Sequence, residues 1–319
     1  MEELKQPGEE GFIRPPLPDR DYDLSPLDRS KPSIHVLVDD VMIRILEHLP
    51  VKERILCEIV CRRWQAILYG MFKRTQRLDL SQFNPIKTGR FPQFQCRVSM
   101  SAVSKMLILT GETLKYLSLA RDGYVPLWVQ PIVKYDSTGE KLFLIIAQLC
   151  PNLEYLDLSG ASELDFDDVK ALKDCKHIKH FSAKGCDGLN NDSFQELISA
   201  LPHLEKINVM STAIEGRCFN ILPAELKELN ISDCPLSMRN LRKLSNTCKT
   251  LEVLEIEGLR KLDEEFFKQL GVNCKSLTTL NINNGKYAEL VHGVQETIEH
   301  IVKDFPDLKH FKCNITDPD

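Results

Sequence analysis

Cys175, His177, His180 and Cys186 supply two thiols and two imidazoles within one short stretch, the donor set of a tetrahedral zinc site. Cys57 and Cys61 stand one helical turn apart, and Asp167 and Asp168 place two carboxylates side by side. Each group could do chemistry only if the backbone brings its members to one point, so the elements that carry them decide the matter. The sequence has no glycine-rich phosphate loop and no GxSxG turn.

Those elements come from a repeat. The pattern LxxLxL starts at Leu114 (LKYLSLA), Leu153 (LEYLDLS), Ile178 (IKHFSAK), Leu204 (LEKINVM), Leu226 (LKELNIS), Leu251 (LEVLEIE), Leu277 (LTTLNIN) and Leu308 (LKHFKCN). A degenerate copy, RLDL, begins at Arg77. From Leu153 to Leu277 the steps are 25, 26, 22, 25 and 26 residues. That is the period of leucine-rich repeats, in which a short strand and a helical segment make one coil of a solenoid. In each copy the fourth and sixth residues point inward and their neighbours outward. Apolar residues at helical spacing follow, such as Val169 and Leu172, Phe194 with Leu197 and Ile198, Leu241 and Leu244, and Phe266 with Leu270. Asp165, Asn191, Ser237 and Asp263 precede them, where caps belong. One coil cannot bury its own apolar stripe, so stacking supplies the core. The expected fold class is α/β: a leucine-rich-repeat solenoid with parallel strands inside and helices outside, preceded by a small three-helix module.

This register settles the candidate chemistry. Cys175 and Cys186 belong to the interior and His180 to the outward row, so the four donors cannot close on one ion. No metal or other cofactor is expected. Cys150, Cys175, Cys248 and Cys274 each stand three residues before a copy, and Cys186 and Cys234 take the ninth position. Free thiols recurring once per coil read as small buried side chains. Asp167 and Asp168 suit a helix start better than acid–base work. The chain is expected to be non-catalytic, and recognition is what remains. The outward third, fifth and seventh positions would form a concave face, with Tyr116, Tyr155, Asp157, His180, Lys184, Lys206, Asn208, Glu228 and Glu255 as candidate contacts to a target protein. Two inserts, near 82–98 and 121–140, stretch the repeat, and the second offers Trp128 as an aromatic anchor. A row of such mixed character suits a protein segment better than an enclosed small molecule.

Ahead of the repeats, residues 37–68 are too short and too apolar to be a finished domain. Asp39 or Asp40 can cap a helix carrying Val41, Met42, Ile45, Leu46 and Leu49, and Pro50 ends it. A second helix carries Ile55, Leu56, Ile59 and Val60, and a third carries Trp64, Ile67 and Leu68. Helices of about ten residues cannot bury so many large side chains among themselves, so another protein surface is called for. Leu37, Asp39, Ile45, Leu46, Leu49, Pro50, Ile59, Val60, Cys61, Arg62, Arg63 and Trp64 resemble the F-box, through which substrate receptors attach to the Skp-type adaptor of cullin–RING ubiquitin ligases. Val38 and Arg54 stand where that family usually has proline and an apolar residue. With the repeats behind it, the chain resembles F-box/leucine-rich-repeat proteins over residues 37–319. The resemblance implies a substrate-recognition subunit of an SCF-type ligase, with adaptor contacts at Leu37, Ile45, Leu46, Leu49, Pro50, Val60 and Trp64. Cullin and RING subunits would follow through the adaptor, and a target protein would sit on the repeats. The expected domains are a leader at 1–35, the F-box at 36–74 and the solenoid at 75–319.

Composition agrees with that outline. Lys and Arg total 41 against 46 Asp and Glu, a formal charge of −5 over 319 residues. No broad basic face results, so nucleic acid is not an expected partner. No apolar run is long enough to span a bilayer, and the acidic start MEELKQPGEE is unlike a secretory signal. Pro7, Pro15, Pro16, Pro18, Pro26 and Pro32 among many charges mark the leader as disordered. The eleven cysteines are then expected as thiols in the cytoplasm or nucleus.

Overall fold

A computed structural model describes residues 34–81, 98–120, 133–134, 141–161, 164–259, 264–283, 305 and 307–312, in two compact units, Met1–Met71 and Phe72–Asp319. Nearly all of the expected leader, most of both inserts including Trp128, and the expected cap Asp263 lie outside the described residues.

The first unit opens on a 3₁₀ turn, Ile34–Val36, followed by α1 (Asp39–Glu47), α2 (Val51–Cys57) and α3 (Arg62–Phe72), whose last residue belongs to the second unit. The cap of α1 differs from the sequence expectation. Val38 is the N-cap and makes no side-chain hydrogen bond, while Asp39 is the first helical residue. Asp39 Oδ1 instead accepts from Arg63 Nε at 2.9 Å and Nη2 at 2.7 Å. A carboxylate in the first turn still favours the helix through its dipole, so a long-range pair replaces the local cap. Arg63 Nη2 also donates to the Leu37 carbonyl, which ties the entry segment to α3. Pro50 separates α1 from α2 and is the N-cap of α2 at φ −54°, the angle its ring imposes. Ile59 and Val60 fall in the turn after α2 instead of on the helix.

The second unit is the solenoid. Its strands are β1 (Arg77–Asp79), β3 (Tyr116–Ser118), β5 (Tyr155–Asp157), β6 (His180–Ser182), β7 (Lys206–Asn208), β8 (Glu228–Asn230), β9 (Val253–Glu255), β10 (Thr279–Asn281) and β11 (His310–Lys312). They form one parallel sheet in that order, so each coil adds its strand beside the last. Every LxxLxL copy, including the degenerate one at Arg77, supplies one strand. A separate two-stranded sheet pairs β2 (Val98–Ser99) with β4 (Val133–Lys134), joining the end of the first insert to the interior of the second. The helical side holds α4 (Met100–Thr110), α5 (Leu142–Leu149), α6 (Asn191–Ala200), α7 (Met238–Thr247) and α8 (Glu264–Asn273). Two coils use 3₁₀ turns instead, Val169–Asp174 and Phe219–Ile221. The second belongs to the coil with the 22-residue step, which has too few residues for a full α-helix.

The core follows the alternation. Leu156, Phe181, Ile207, Leu229, Leu254 and Leu280 at the fourth position, and Leu158, Ala183, Val209, Ile231, Ile256 and Ile282 at the sixth, are all buried. The cap of α6 is Asn190, not Asn191: its side chain accepts from Asp192 and Ser193 backbone N–H in a capping box. Asn191 instead bridges coils, its Oδ1 accepting from the Glu215 N–H at 3.1 Å. Ser237 caps α7 as expected, but Asp168, not Asp165, stands at the N-cap of the turn Val169–Asp174.

Among the described residues seven thiols are buried: Cys150, Cys175, Cys186, Cys218, Cys234, Cys248 and Cys274. Several donate to carbonyls of the preceding coil, Cys186 to Leu158 at 3.2 Å, Cys234 to Val209 at 3.1 Å and Cys274 to Cys248 at 3.0 Å. They act as small donors that knit coil to coil, which leucine could not do. Burial pushes Cys150, Cys186 and Cys248 up to about 12. Iodoacetamide at about pH 8 should therefore modify the half-exposed Cys57 and Cys61 and leave these seven untouched in the folded chain, as read by mass spectrometry. Rapid modification of Cys186 without unfolding would contradict the thiol ladder.

Along one rim, the second position of successive copies alternates in charge: Lys115, Glu154, Lys179, Glu205, Lys227, Glu252. Lys115 pairs with Glu154 at 2.8 Å, and Glu205 pairs with both Lys179 and Lys227 at 2.7 Å. Hydrogen bonds from those two lysines hold Glu205 down to about 2, so this carboxylate stays charged well below the usual range. Its contribution is present above the ordinary glutamate range and is lost only as pH falls towards 2.

Candidate functional site

Each unit presents one surface that its own residues leave uncovered. On α1, helical geometry makes two apolar stripes. Met42 and Leu46 form one and are fully buried. Val38, Val41 and Ile45, at spacings of three and four, form the other and stay exposed, Ile45 at 41%. The turn after α2 adds Ile59 at 76% and Val60 at 43%, and Val36 ahead of α1 is 80% exposed. So many large apolar side chains in contact with water on one small unit mark an interaction surface.

The expected adaptor contacts divide on this evidence. Ile45, Pro50 and Val60 are exposed, and Leu37, Leu49 and Trp64 are half-buried. Leu46 is 0% exposed and is corrected to a core residue, because its side chain has no surface to offer. Val36, Val38, Val41 and Ile59 are exposed and were not among the expected contacts, and Leu56, which can take the apolar contact that Arg54 lacks, is exposed too. The spacing of Val38, Val41 and Ile45 was the signal for part of that set.

On the solenoid the open face of the sheet carries a continuous row. The Arg77 guanidinium lies 3.5 Å from the centroid of the Tyr116 ring, which stacks on Tyr155 at 4.2 Å and 11°. Tyr155 in turn meets His180 edge-on at 5.8 Å. The in-line pairing of Tyr116, Tyr155 and His180 on β3, β5 and β6 puts these rings in register. Burial first, then the neighbouring Asp157, pushes the Tyr155 hydroxyl above its ordinary range. Burial and then Lys206 hold His180 below its ordinary value, so the imidazole is neutral near pH 7. Next in the row, Lys206 pairs with Glu228 at 2.6 Å. Beyond them Glu255 accepts from the Asn230 amide, and Glu257 from the Asn281 amide.

Tyr155, His180, Lys206, Asn208, Glu228 and Glu255 line one hollow of ≈ 370 Å³, together with Asn230 and Ser182. Tyr116 adjoins it through the stack, whereas Asp157 and Lys184 are not in its wall. Asp157 and Asn208 are also partly engaged elsewhere. Asp157 Oδ1 accepts from the Ser159 N–H at 2.9 Å, and Asn208 Oδ1 from the Met210 N–H at 3.2 Å. Asp79, Asn230 and Asn281 make the same turn-back bond, so this position closes the end of each strand. Arg77 belongs to the face and was missed because its copy of the repeat is degenerate, whereas Asn230 stands at the outward fifth position of its copy, as the register expects. Cys175 and Cys186 are in the core while His180 is on the open face, which keeps the four candidate zinc donors apart.

Comparison with known proteins matches a family description, the F-box domain, to residues 34–71. F-box/LRR-repeat protein 5 of Mus musculus is 28% identical over 111 residues, covering 34% of this chain and 14% of that protein. Its Salmo salar counterpart is 28% identical over 126 residues, covering 39% and 17%. A Caenorhabditis elegans protein, EEED8.10, provisionally named as RNA-binding, is 22% identical over 270 residues, covering 82% of this chain and 34% of its own length. The chain thus spans about a third or less of the length of these relatives. Among solved structures, an internalin from Listeria monocytogenes aligns over 88% of this chain and 76% of its own, at 12% identity and a TM-score of 0.46. The matched residues are those of the helical unit with the uncovered apolar stripe, and the repeats behind it build the parallel sheet. The chain carries an F-box domain at residues 34–71 followed by a leucine-rich-repeat solenoid, the domain pair of F-box/leucine-rich-repeat proteins.

Proposed function

We propose that the chain is a substrate-recognition subunit of an SCF-type ubiquitin ligase. The observation that carries this reading is the uncovered apolar stripe, Val38, Val41 and Ile45, lying inside the F-box match. The F-box binds the Skp-type adaptor through that stripe and Val60, and cullin and RING subunits join through the adaptor. The open face of the solenoid holds the target protein. The chain performs no chemistry of its own and needs no cofactor. It raises the effective concentration of target lysines near a ubiquitin-charged enzyme held elsewhere in the assembly. Among the described residues no helix is long and apolar enough to cross a membrane, and the buried cysteines are free thiols, which supports work in the cytoplasm or nucleus.

Size-exclusion chromatography of the purified chain with purified Skp-type adaptor tests this. A one-to-one complex is expected. A chain that elutes folded, alone and unchanged in the presence of excess adaptor would instead be a repeat scaffold outside any ligase.

A further inference from the structure

The hollow on the open face is graded along its length. Its β5 end is aromatic and its β9 end acidic, and about four inter-strand spacings, or about 19 Å, separate them, the length of about six extended residues. At the aromatic end both faces of the Tyr116 ring and one face of the Tyr155 ring are already occupied. Tyr116 is sandwiched between the Arg77 guanidinium and Tyr155, and the His180 ring packs edge-on with Tyr155. What remains is ring edges, hydroxyls and a neutral imidazole, a wall for an apolar side chain. Bases of single-stranded nucleic acid need free aromatic faces, and this stack spends both faces of Tyr116 and one of Tyr155 internally.

At the acidic end Glu255 lines the hollow and Glu257 neighbours it from outside the wall; they accept from the amides of Asn230 and Asn281 respectively. Among the described residues neither makes an ion pair, whereas Lys206 is committed to Glu228 at 2.6 Å. Burial and the adjacent Glu257 push the Glu255 carboxyl above its ordinary value, and Lys312 and Lys184 offset this only from beyond ion-pair distance. A cation delivered between the two carboxylates would relieve that repulsion.

We propose that the hollow takes an extended segment of a target protein whose lysine or arginine reaches Glu255 and Glu257. An apolar side chain about six residues away lies on the edges of Tyr155 and His180. This rests on the substrate-receptor reading and names the class of segment that the receptor selects.

The test is selection of phage-displayed random peptides of about twelve residues on the immobilised full chain. Selected peptides should be rich in Lys or Arg, with an apolar residue five to seven positions away. Replacing Glu255→Gln together with Glu257→Gln should weaken the best of them about tenfold. Glu255→Lys with Glu257→Lys should turn the selection towards acidic peptides. The single Glu255→Gln change retains an acceptor for the Asn230 amide and serves if the double variant does not fold, as judged by its thermal transition. Failure to enrich any peptide, enrichment without basic residues, or equal affinity for the folded glutamine variant would overturn the proposal. So would displacement of the peptides by an RNA of about twenty uridines. Adaptor binding is measured on the same samples. Its absence beside intact peptide selectivity would overturn only the ligase reading.

Discussion

Exchanging Ile45→Asp and Val60→Asp together will weaken adaptor binding by more than about 100-fold, equivalent to about 2.7 kcal/mol, while leaving the thermal transition of the chain nearly in place. Both side chains are more than a third exposed in the chain alone, so a carboxylate there stays hydrated before binding. In the complex it would be buried against an apolar surface without a partner, a cost of several kcal/mol for each charge. Isothermal titration with purified adaptor reads the loss, and circular dichroism confirms the helices. Leu46→Asp would be the wrong probe, because Leu46 is fully buried and the change would unfold the unit whatever it binds. Undiminished affinity in the folded double variant would remove the stripe from the interface.

The second large effect lies in the solenoid. Gly111→Ala adds only one methyl group, yet it should destabilise the second unit by about 2–3 kcal/mol. Gly111 opens the 3₁₀ turn after α4, and a Cβ built there would sit 2.3 Å from the Leu149 carbonyl oxygen and 2.9 Å from its carbon. The obstruction is backbone at the end of α5, not a side chain that could swing away, so two neighbouring coils would have to move apart. For a unit of this size the unfolding temperature should drop by about 4–12 °C. An unchanged transition would mean that the two coils are less closely packed than the geometry requires.

How much of this was legible before the structure depends on what kind of signal each feature leaves. The nine strands were legible because LxxLxL fixes both the position of the strand and the direction of every side chain in it. The two stripes of α1 were not separable. Met42 and Leu46 have the same apolar character as Val41 and Ile45, and only packing decides which pair the chain covers itself. Asp157 and Asn208 look like ligand contacts by type, but a side chain long enough to meet a target is also long enough to turn back on its own backbone. Caps were displaced by one residue at Asn190 and replaced by an Arg63 pair at Asp39, because local propensity cannot foresee a partner that is distant in sequence. Arg77 was hidden by the weakest copy of the repeat, although the cation it contributes ends the aromatic row.

The backbone of the solenoid repeats with every coil, but its rim of alternating lysine and glutamate repeats only with every second one. Excising a single coil would therefore set Glu154 against Glu205, or Lys179 against Lys227, whereas excising two adjacent coils would restore opposite signs across the seam. Between Lys115 and Glu252 the array thus has a parity: duplication or loss in even numbers leaves its edge electrostatically seamless, and odd numbers leave a scar.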